Sequence, residues 1–530
     1  MLFTSVAFLL FAAITLLCYF TVPKRTQWWV LLASSLVFYA LAGIEYTVFI
    51  LYTATVTYLT SRILQSRADA EDAFVEANRD TMDKASRKAY RASAKKKRFV
   101  ILVAGLLLGF GMLAVLKYTA FVMEGISSLS KAFGGEGLAI PSFLLPLGIS
   151  FYTFPSMGYL IDVYRKSVRA ERNFCKLLLF VSFFPQILQG PISRFGALHE
   201  QLITPHAFDA FSFRAGLLRV TWGYFKKMLL ADTAMIAIGT ILASPEEYTG
   251  VYVFLLILLY SAQIYGDFTG GIDITIGLSE MMGIRLAENF NRPFSSRSTK
   301  EYWNRWHITM GSWFTDYVFY PLSVSKPMQK LSDTSCRLFG KSFGVRIPVY
   351  LATVVTWFLT GLWHGAGWNF IVWGLLNCLV ILVSRELEPL YRRFYKQFPK
   401  LADAKPWHAF GAIRTFLLMG LIRSLDCYRN VPQTFRMWWS MIANPNVGEL
   451  FVGKMPLWEL LTPAQWGVVL ASSAAVFFVS RAGAKSPVRH RVAQNGVLIC
   501  ALLCALLVTV LIFGAYGIGY DASQFIYTQF

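Results

Sequence analysis

Apolar runs long enough to cross a bilayer recur along the whole of this 530-residue chain, and no other feature narrows its possible folds so far. A helix needs about 20 apolar residues to span a hydrocarbon core of ~30 Å. Clear runs cover residues 2–22, 99–117, 251–265, 347–363, 368–383, 466–479 and 496–514. Others are shorter or interrupted by Gly and Pro. Backbone polar groups inside a bilayer must be satisfied within the segment, so runs of this kind are helices, roughly 11 to 13 in all, some not crossing fully. The chain reads as an all-α polytopic integral membrane protein. Composition agrees: 55% of residues are hydrophobic and 15% charged, where soluble domains carry about a quarter charged residues. The first run has no positive charge before it and no small-x-small cleavage site before Lys24, so it reads as a retained span, not a signal peptide.

The net charge of +20, from 50 Lys and Arg against 30 Asp and Glu, would suggest nucleic acid in a soluble protein. Here the basic residues collect in short loops, as the positive-inside rule requires. They are Lys24 and Arg25, residues 62–98 ending in KKKR, and residues 326–346, 385–405 and 481–491. That distribution excludes nucleic acid as a partner and makes membrane lipid the surroundings. Three spans before a cytoplasmic 62–98 segment place Met1 outside, and a last span after a cytoplasmic 481–491 segment carries Phe530 outside as well. The segment itself is a charged cytoplasmic insert, a helical hairpin or an amphipathic surface helix. The seven cysteines show no disulfide or metal-ligand spacing. Four of them, Cys18, Cys378, Cys500 and Cys504, lie in apolar runs and read as core residues. No internal repeat or linker divides the chain. It reads as one membrane domain over residues 1–530, with a motif-bearing core at 99–385 and an aromatic tail at 525–530.

Of six histidines, His199, His206, His408 and His490 lie in polar or basic stretches and read as surface residues. His307 and His364 are set in Trp-rich sequence, EYWNRWHITMGSWF and TWFLTGLWHGAGWNF. An ionisable group at membrane depth is costly and marks a functional site by default, against the alternative of a neutral histidine bonded to a neighbouring helix. Position favours His364. The loops on either side of its hairpin are both basic, so the chain rises, turns at His364-Gly365-Ala366-Gly367, and descends. A rising helix over residues 349–363 covers only ~22 Å at 1.5 Å per residue, which puts the turn inside the hydrocarbon. Irregular backbone there is tolerated only where protein buries it or a watery cavity is lined. A neutral imidazole in that turn can take a proton from an attacking hydroxyl or thiol. No Walker loop, GxGxxG, HExxH or GxSxG is present, which argues against ATP-driven transport and against a self-contained serine esterase.

Five segments in order give the chain a family resemblance: LPLGISFYTFPSMGYLIDVYR (145–165), FFPQILQGPISR (183–194), QIYGDFTGGIDITIGLSEMMG (263–283), ENFNRPFSSRSTKEYWNRWHITMGSWFTDYVFYPL (288–322) and TGLWHGAGWNFIVWG (360–374). Together with the terminal FIYTQF (525–530), they resemble the membrane-bound O-acyltransferases, and among these the bacterial alginate O-acetylation branch. The resemblance implies a ring of tilted and re-entrant helices around a central tunnel, which joins a cytoplasmic donor entrance to an extracytoplasmic acceptor funnel. It matches the family's catalytic histidine to His364 and its second signature histidine to His307, which either orients the donor thioester or holds structure. Asp267, Asn291, Arg292, Trp306, Trp363, Trp368 and Asn369 fall in the matched blocks and are candidates for substrate binding. Tyr527 is a candidate acyl acceptor, or else one of several aromatics anchoring the tail at the interface.

The implied activity is transfer of an acetyl group from a cytoplasmic thioester, acetyl-CoA, across a bacterial inner or plasma membrane for O-acylation of an extracytoplasmic polysaccharide. No metal or bound cofactor is implied. Because the chain has no nucleophile elbow, a separate SGNH-type esterase or acetyltransferase outside is the expected partner. The rival within the family is D-alanyl transfer to teichoic acid, fed by a cytoplasmic carrier protein. A rival of another class is a transporter that moves a glycan or lipid without chemistry.

Overall fold

A computed structural model of the chain describes residues 3–141, 143, 145–452 and 456–516. Among these residues there is no β-strand, and the sole β-pairing is an isolated antiparallel bridge between Phe290 and Trp306. Seven helices among the described residues are long and apolar enough to cross a membrane, and Val6–Thr21 and Phe174–Gln189 are shorter apolar helices. The chain is a multi-pass membrane protein. It forms two compact units, Met1–Phe213 with Leu278–Leu286, and Arg214–Gly277 with Ala287–Phe530.

The first unit is built on α1 (Val6–Thr21), α2 (Gln27–Ala40), α3 (Thr47–Ala77), α4 (Lys84–Ala132) and α5 (Ile149–Tyr164). The charged 62–98 segment is a helical hairpin, made by the end of α3 and the start of α4. Asp83 caps α4 by accepting a hydrogen bond from the Ser86 amide at 2.9 Å, which starts a new helix after the turn. The hairpin is closed by Arg98 and Glu71, 2.9 Å apart with both side chains buried, and by Phe74 stacked on Tyr90. Where α3, α4 and α5 meet, glycines face bulk: a Cβ on Gly109 would lie 2.5 Å from the Met157 side chain.

Two sequence expectations fail here. His199 is not a surface residue; it is buried, stacked on Phe195 and 2.9 Å from Glu171. Its polar sequence neighbours fall on the other side of a short amphipathic helix. Of the four cysteines expected in the core, only Cys378 is buried, while Cys18, Cys500 and Cys504 are exposed on helix faces. An apolar run in a membrane helix has an outward apolar face as well as an inward one, so hydropathy does not separate them.

The second unit contains α6 (Ala210–Phe225), a π-helical turn at Lys226–Ala231, α7 (Asp232–Ala243), α8 (Val251–Met281), α9 (Ile308–Phe314), α10 (Ile347–His364), α11 (Trp368–Glu386), α12 (Lys405–Tyr428), α13 (Pro463–Ala482) and α14 (Gly496–Phe513). Helices α6 and α8 touch backbone to backbone. A Cβ on Gly223 would lie 2.6 Å from the Gly270 carbonyl oxygen, one on Gly270 would lie 2.8 Å from that of Gly223, and one on Gly277 would lie 2.7 Å from that of Gly216. Glycines two helical turns apart on each partner make the close crossing possible. We expect Gly270→Leu to lower the melting temperature and the folded yield in detergent, because no backbone shift clears the carbonyl cheaply; overpacking of this kind costs roughly 1–3 kcal/mol or more. Gly239→Ala in α7, where nothing lies within 4 Å, should be near neutral in the same melt. Equal stability of the two variants would show that the crossing is loose.

Helices α10 and α11 form the hairpin expected around His364. Helix α10 has 18 residues, ~27 Å at 1.5 Å per residue. That exceeds the length read from sequence and still falls short of a ~30 Å core. The helices are held close by Gly361 and Gly374, whose added Cβ atoms would each meet a backbone oxygen at 2.5 Å, those of Phe370 and Trp357 respectively.

Candidate active site

Helix α10 ends at His364, and Gly365 and Gly367 flank it with extended backbone. Gly365 has no room for a side chain: a Cβ would lie 2.1 Å from the Phe370 ring. The turn therefore packs directly against the first turn of α11. His364 is half-buried, with its ring 4.5 Å from that of Trp373 and 4.9 Å from that of Trp363, both edge-on. Trp303 fills in behind, edge-on to Trp357 at 4.9 Å and to Trp373 at 5.7 Å. The result is an imidazole on a short turn, backed by tryptophans and pinned by glycine contacts.

His307 is fully buried and reaches the same cage from another direction. Its ring lies 5.5 Å from Trp363, which also touches His364, and 4.8 Å from Phe268 of α8. The loop before α9 folds back on itself, with the Asn291 amide donating to the Arg305 carbonyl at 2.9 Å and the Ile308 amide to that of Asn289 at 3.0 Å. Two non-glycine residues in this loop take left-handed backbone, Arg292 at φ 50° and His307 at φ 48°. Such conformations cost energy and cluster at functional sites.

The His307 tautomer follows from its partners. Asn289 Oδ1 accepts from the Thr309 backbone amide at 3.1 Å and from the Thr309 hydroxyl at 2.9 Å, which fixes that atom as the amide oxygen. His307 Nδ1 lies 3.2 Å from the same oxygen and must donate to it, so Nε2 carries the lone pair. Burial, with a contribution from the Arg423 guanidinium, pushes the His307 pKa down to about 3. The ring is therefore neutral. Arg423 stands 4.3 Å over the Trp306 ring and donates to the Tyr302 hydroxyl at 3.2 Å.

Of the residues singled out in the sequence, His364, His307, Trp363 and Trp306 converge on this cage. Asp267 is fully buried beside it, but its carboxylate lies 2.7 Å from Lys227 Nζ, which also holds Asp232 at 2.8 Å. That gives Asp267 a structural partner inside the protein. Asn369 is buried at the start of α11 and donates to the Leu425 carbonyl at 3.4 Å. Trp368, by contrast, is exposed. Asn291 and Arg292 instead line a cavity of about 580 Å³ together with Phe290 and Ile308, the residue next to His307. Tyr527, Phe525 and Phe530 lie outside the described residues. Sequence reasoning missed Asn289, Phe268, Trp373, Arg423 and Lys227. Arg423 and Lys227 had a usable signal, a cation inside an apolar run; the others become meaningful only through contacts.

Comparison with known proteins shows what the chain resembles. Residues 149–333 match the profile of MBOAT, the membrane-bound O-acyltransferase family. The chain is 35% identical over 288 residues to a protein named probable alginate O-acetylase AlgI from Azotobacter vinelandii, covering 54% of each chain. It is 32% identical over 343 residues to the Pseudomonas aeruginosa protein of the same name, covering 64% of this chain and 60% of that one. Over residues 149–333 the chain is similar to the membrane-bound O-acyltransferase family. A peptidoglycan O-acetyltransferase of Helicobacter pylori is 29% identical over 331 residues, covering 57% of this chain and 58% of that one. The chain spans little more than half the length of the curated relatives it matches. His307 lies within the profile-matched segment, while His364 lies beyond it.

Proposed function

We propose that this chain transfers an acyl group, acetyl in the first instance, from a cytoplasmic thioester across a bacterial inner or plasma membrane, for O-acylation of an extracytoplasmic polysaccharide. The observation that carries the proposal is the position of His364, at the turn between two apolar helices in a tryptophan cage that also touches a second, neutral histidine. In this reading His364 takes the proton of an acceptor hydroxyl as the oxygen attacks the thioester carbonyl. The tetrahedral intermediate then collapses, the C–S bond breaks, and the proton passes to the departing thiolate, leaving an ester and a free thiol. Neutral His307, with Nδ1 tied to Asn289, turns a lone pair and not a charge toward the cage. It serves to orient the acceptor or the thioester, not to donate a proton.

The relatives support the polysaccharide as the final acceptor, since they are named for alginate, for peptidoglycan and, at 28% identity over 46% of this chain, for teichoic acid. The direction of transfer rests on the basic loops. An SGNH-type partner outside completes the scheme, because the sequence has no nucleophile elbow. The teichoic acid D-alanyltransferase relatives favour a second reading, in which the donor is a D-alanyl thioester on a cytoplasmic carrier protein.

Purified full-length protein in nanodiscs, given acetyl-CoA, should release free CoA, with release accelerated by a hydroxyl acceptor. Turnover of a carrier-bound D-alanyl thioester in place of acetyl-CoA would select the second reading. Turnover of neither, with stable folded protein and the extracytoplasmic partner present, would sink both.

A further inference from the structure

The cavity lined by Arg292 has two unlike walls. The polar one is a fixed ion cluster. Arg219 holds both oxygens of Glu288, at 2.8 and 2.6 Å, and one of Asp273 at 2.8 Å. Lys226 holds the other Asp273 oxygen at 2.8 Å and the Thr269 hydroxyl at 2.7 Å. Arg489 approaches Glu288 at 3.6 Å. Arg292 has no ion-pair partner among the described residues. Arg292 thus adds a cation beyond the paired cluster of Arg219 and Lys226 with Asp273 and Glu288. A cavity holding that surplus in a low-dielectric setting favours an anion.

The apolar wall is Val476 and Val479 of α13 with Leu502 and Leu506 of α14. These helices turn little of themselves inward: only 11% of each span is buried, the lowest share among the seven. Their outer faces show Phe477, Phe478, Leu511 and Ile512 to the surroundings, as bilayer-facing helices do. The two are joined by the basic segment 481–491, whose loop charge marks the cytoplasmic headgroup level. Basic pockets between spans at that level suit anionic headgroups, and about 580 Å³ is within the usual range of ~300–1,000 Å³ for ligand pockets.

We propose that this cavity binds one anionic phospholipid of the cytoplasmic leaflet, its phosphate held by Arg292 and Arg489 and its upper acyl chain laid along α13 and α14. The ion cluster of Arg219, Lys226, Asp273 and Glu288 is the rigid floor that keeps Arg489 in place. The site is separate in kind from the acyl-transfer chemistry: it holds a resident lipid between the outer helices and the loop that carries His307.

The test uses full-length protein in detergent, incubated with phosphatidylglycerol or phosphatidylcholine, freed of micellar lipid and analysed for retained lipid by native mass spectrometry. The wild type should keep one phosphatidylglycerol and no phosphatidylcholine. Arg489→Gln should lower retention by roughly fivefold, the order expected for one cation near a headgroup, and Val479→Trp, which fills the apolar side, should abolish it. As a check that alters no charge, a brominated phosphatidylglycerol should quench a saturable part of the tryptophan fluorescence that is missing in Trp222→Phe, since Trp222 lines the cavity. Equal retention of both lipids, or retention undiminished in Val479→Trp with no Trp222-dependent quenching, would overturn the proposal. Stoichiometric displacement of the lipid by acetyl-CoA would also overturn it, and would assign the cavity to the donor thioester.

Discussion

His364→Ala is expected to cut thioester turnover by about 10²–10⁴-fold, the usual contribution of a positioned general base, while the protein stays folded. The side chain is half-buried at a helix end, and the packing that fixes the turn comes from Gly361, Gly365 and Gly374 against Phe370 and Trp357. Removing the imidazole leaves those contacts intact. The measurement is free thiol released per enzyme per minute, with the melting temperature recorded on the same preparation. Unchanged turnover in folded His364→Ala would remove the general-base role. It would also return weight to a transporter without chemistry, which predicts no loss. His364→Gln keeps a hydrogen-bonding group but no titrating nitrogen, so it should be as inactive as the alanine variant if proton transfer is the role.

The second large effect concerns stability. Lys227 is almost wholly buried between Asp232 and Asp267, at 2.8 and 2.7 Å. Lys227→Met leaves two carboxylates without that cation, and breaking a buried pair in this way costs roughly 3–5 kcal/mol. We expect loss of most folded protein in detergent, read as a collapse of the monodisperse peak in size exclusion. Adding Asp232→Asn and Asp267→Asn to the same chain removes the stranded charges, and should restore much of the yield. The pair also decides the role of Asp267. If Asp267→Asn alone melts early yet turns over normally once folded, it is structural. If it is stable and its apparent affinity for substrate drops, the substrate-binding reading of the sequence stands.

Much of this architecture was legible in the sequence because the bilayer reduces the choices. Backbone groups in hydrocarbon must pair within a helix, so apolar runs become helices: residues 347–363 and 368–383 appear almost unchanged as α10 and α11. Loop charge marked the 62–98 hairpin and the basic turns, and a histidine between two short apolar helices marked His364. Those signals are local, carried by residues adjacent in the chain.

Tertiary structure alone decided what depends on residues far apart. Hydropathy put Cys500 and Cys378 in the same class, but only Cys378 packs inward, because both faces of a membrane helix are apolar. Polar neighbours disguised His199, which is buried against Phe195 and Glu171. The ion pair of Asp267 with Lys227 is delivered by a π-helical turn that no periodicity announces. The tautomer of His307 came from Asn289 and Thr309, and the cavity of Arg292 and Arg489 from segments nearly 200 positions apart. Sequence thus determined the membrane fold and where an ionisable group is too costly to be idle. Packing decided which charges already have partners, since pairing is set by distance in space and not along the chain.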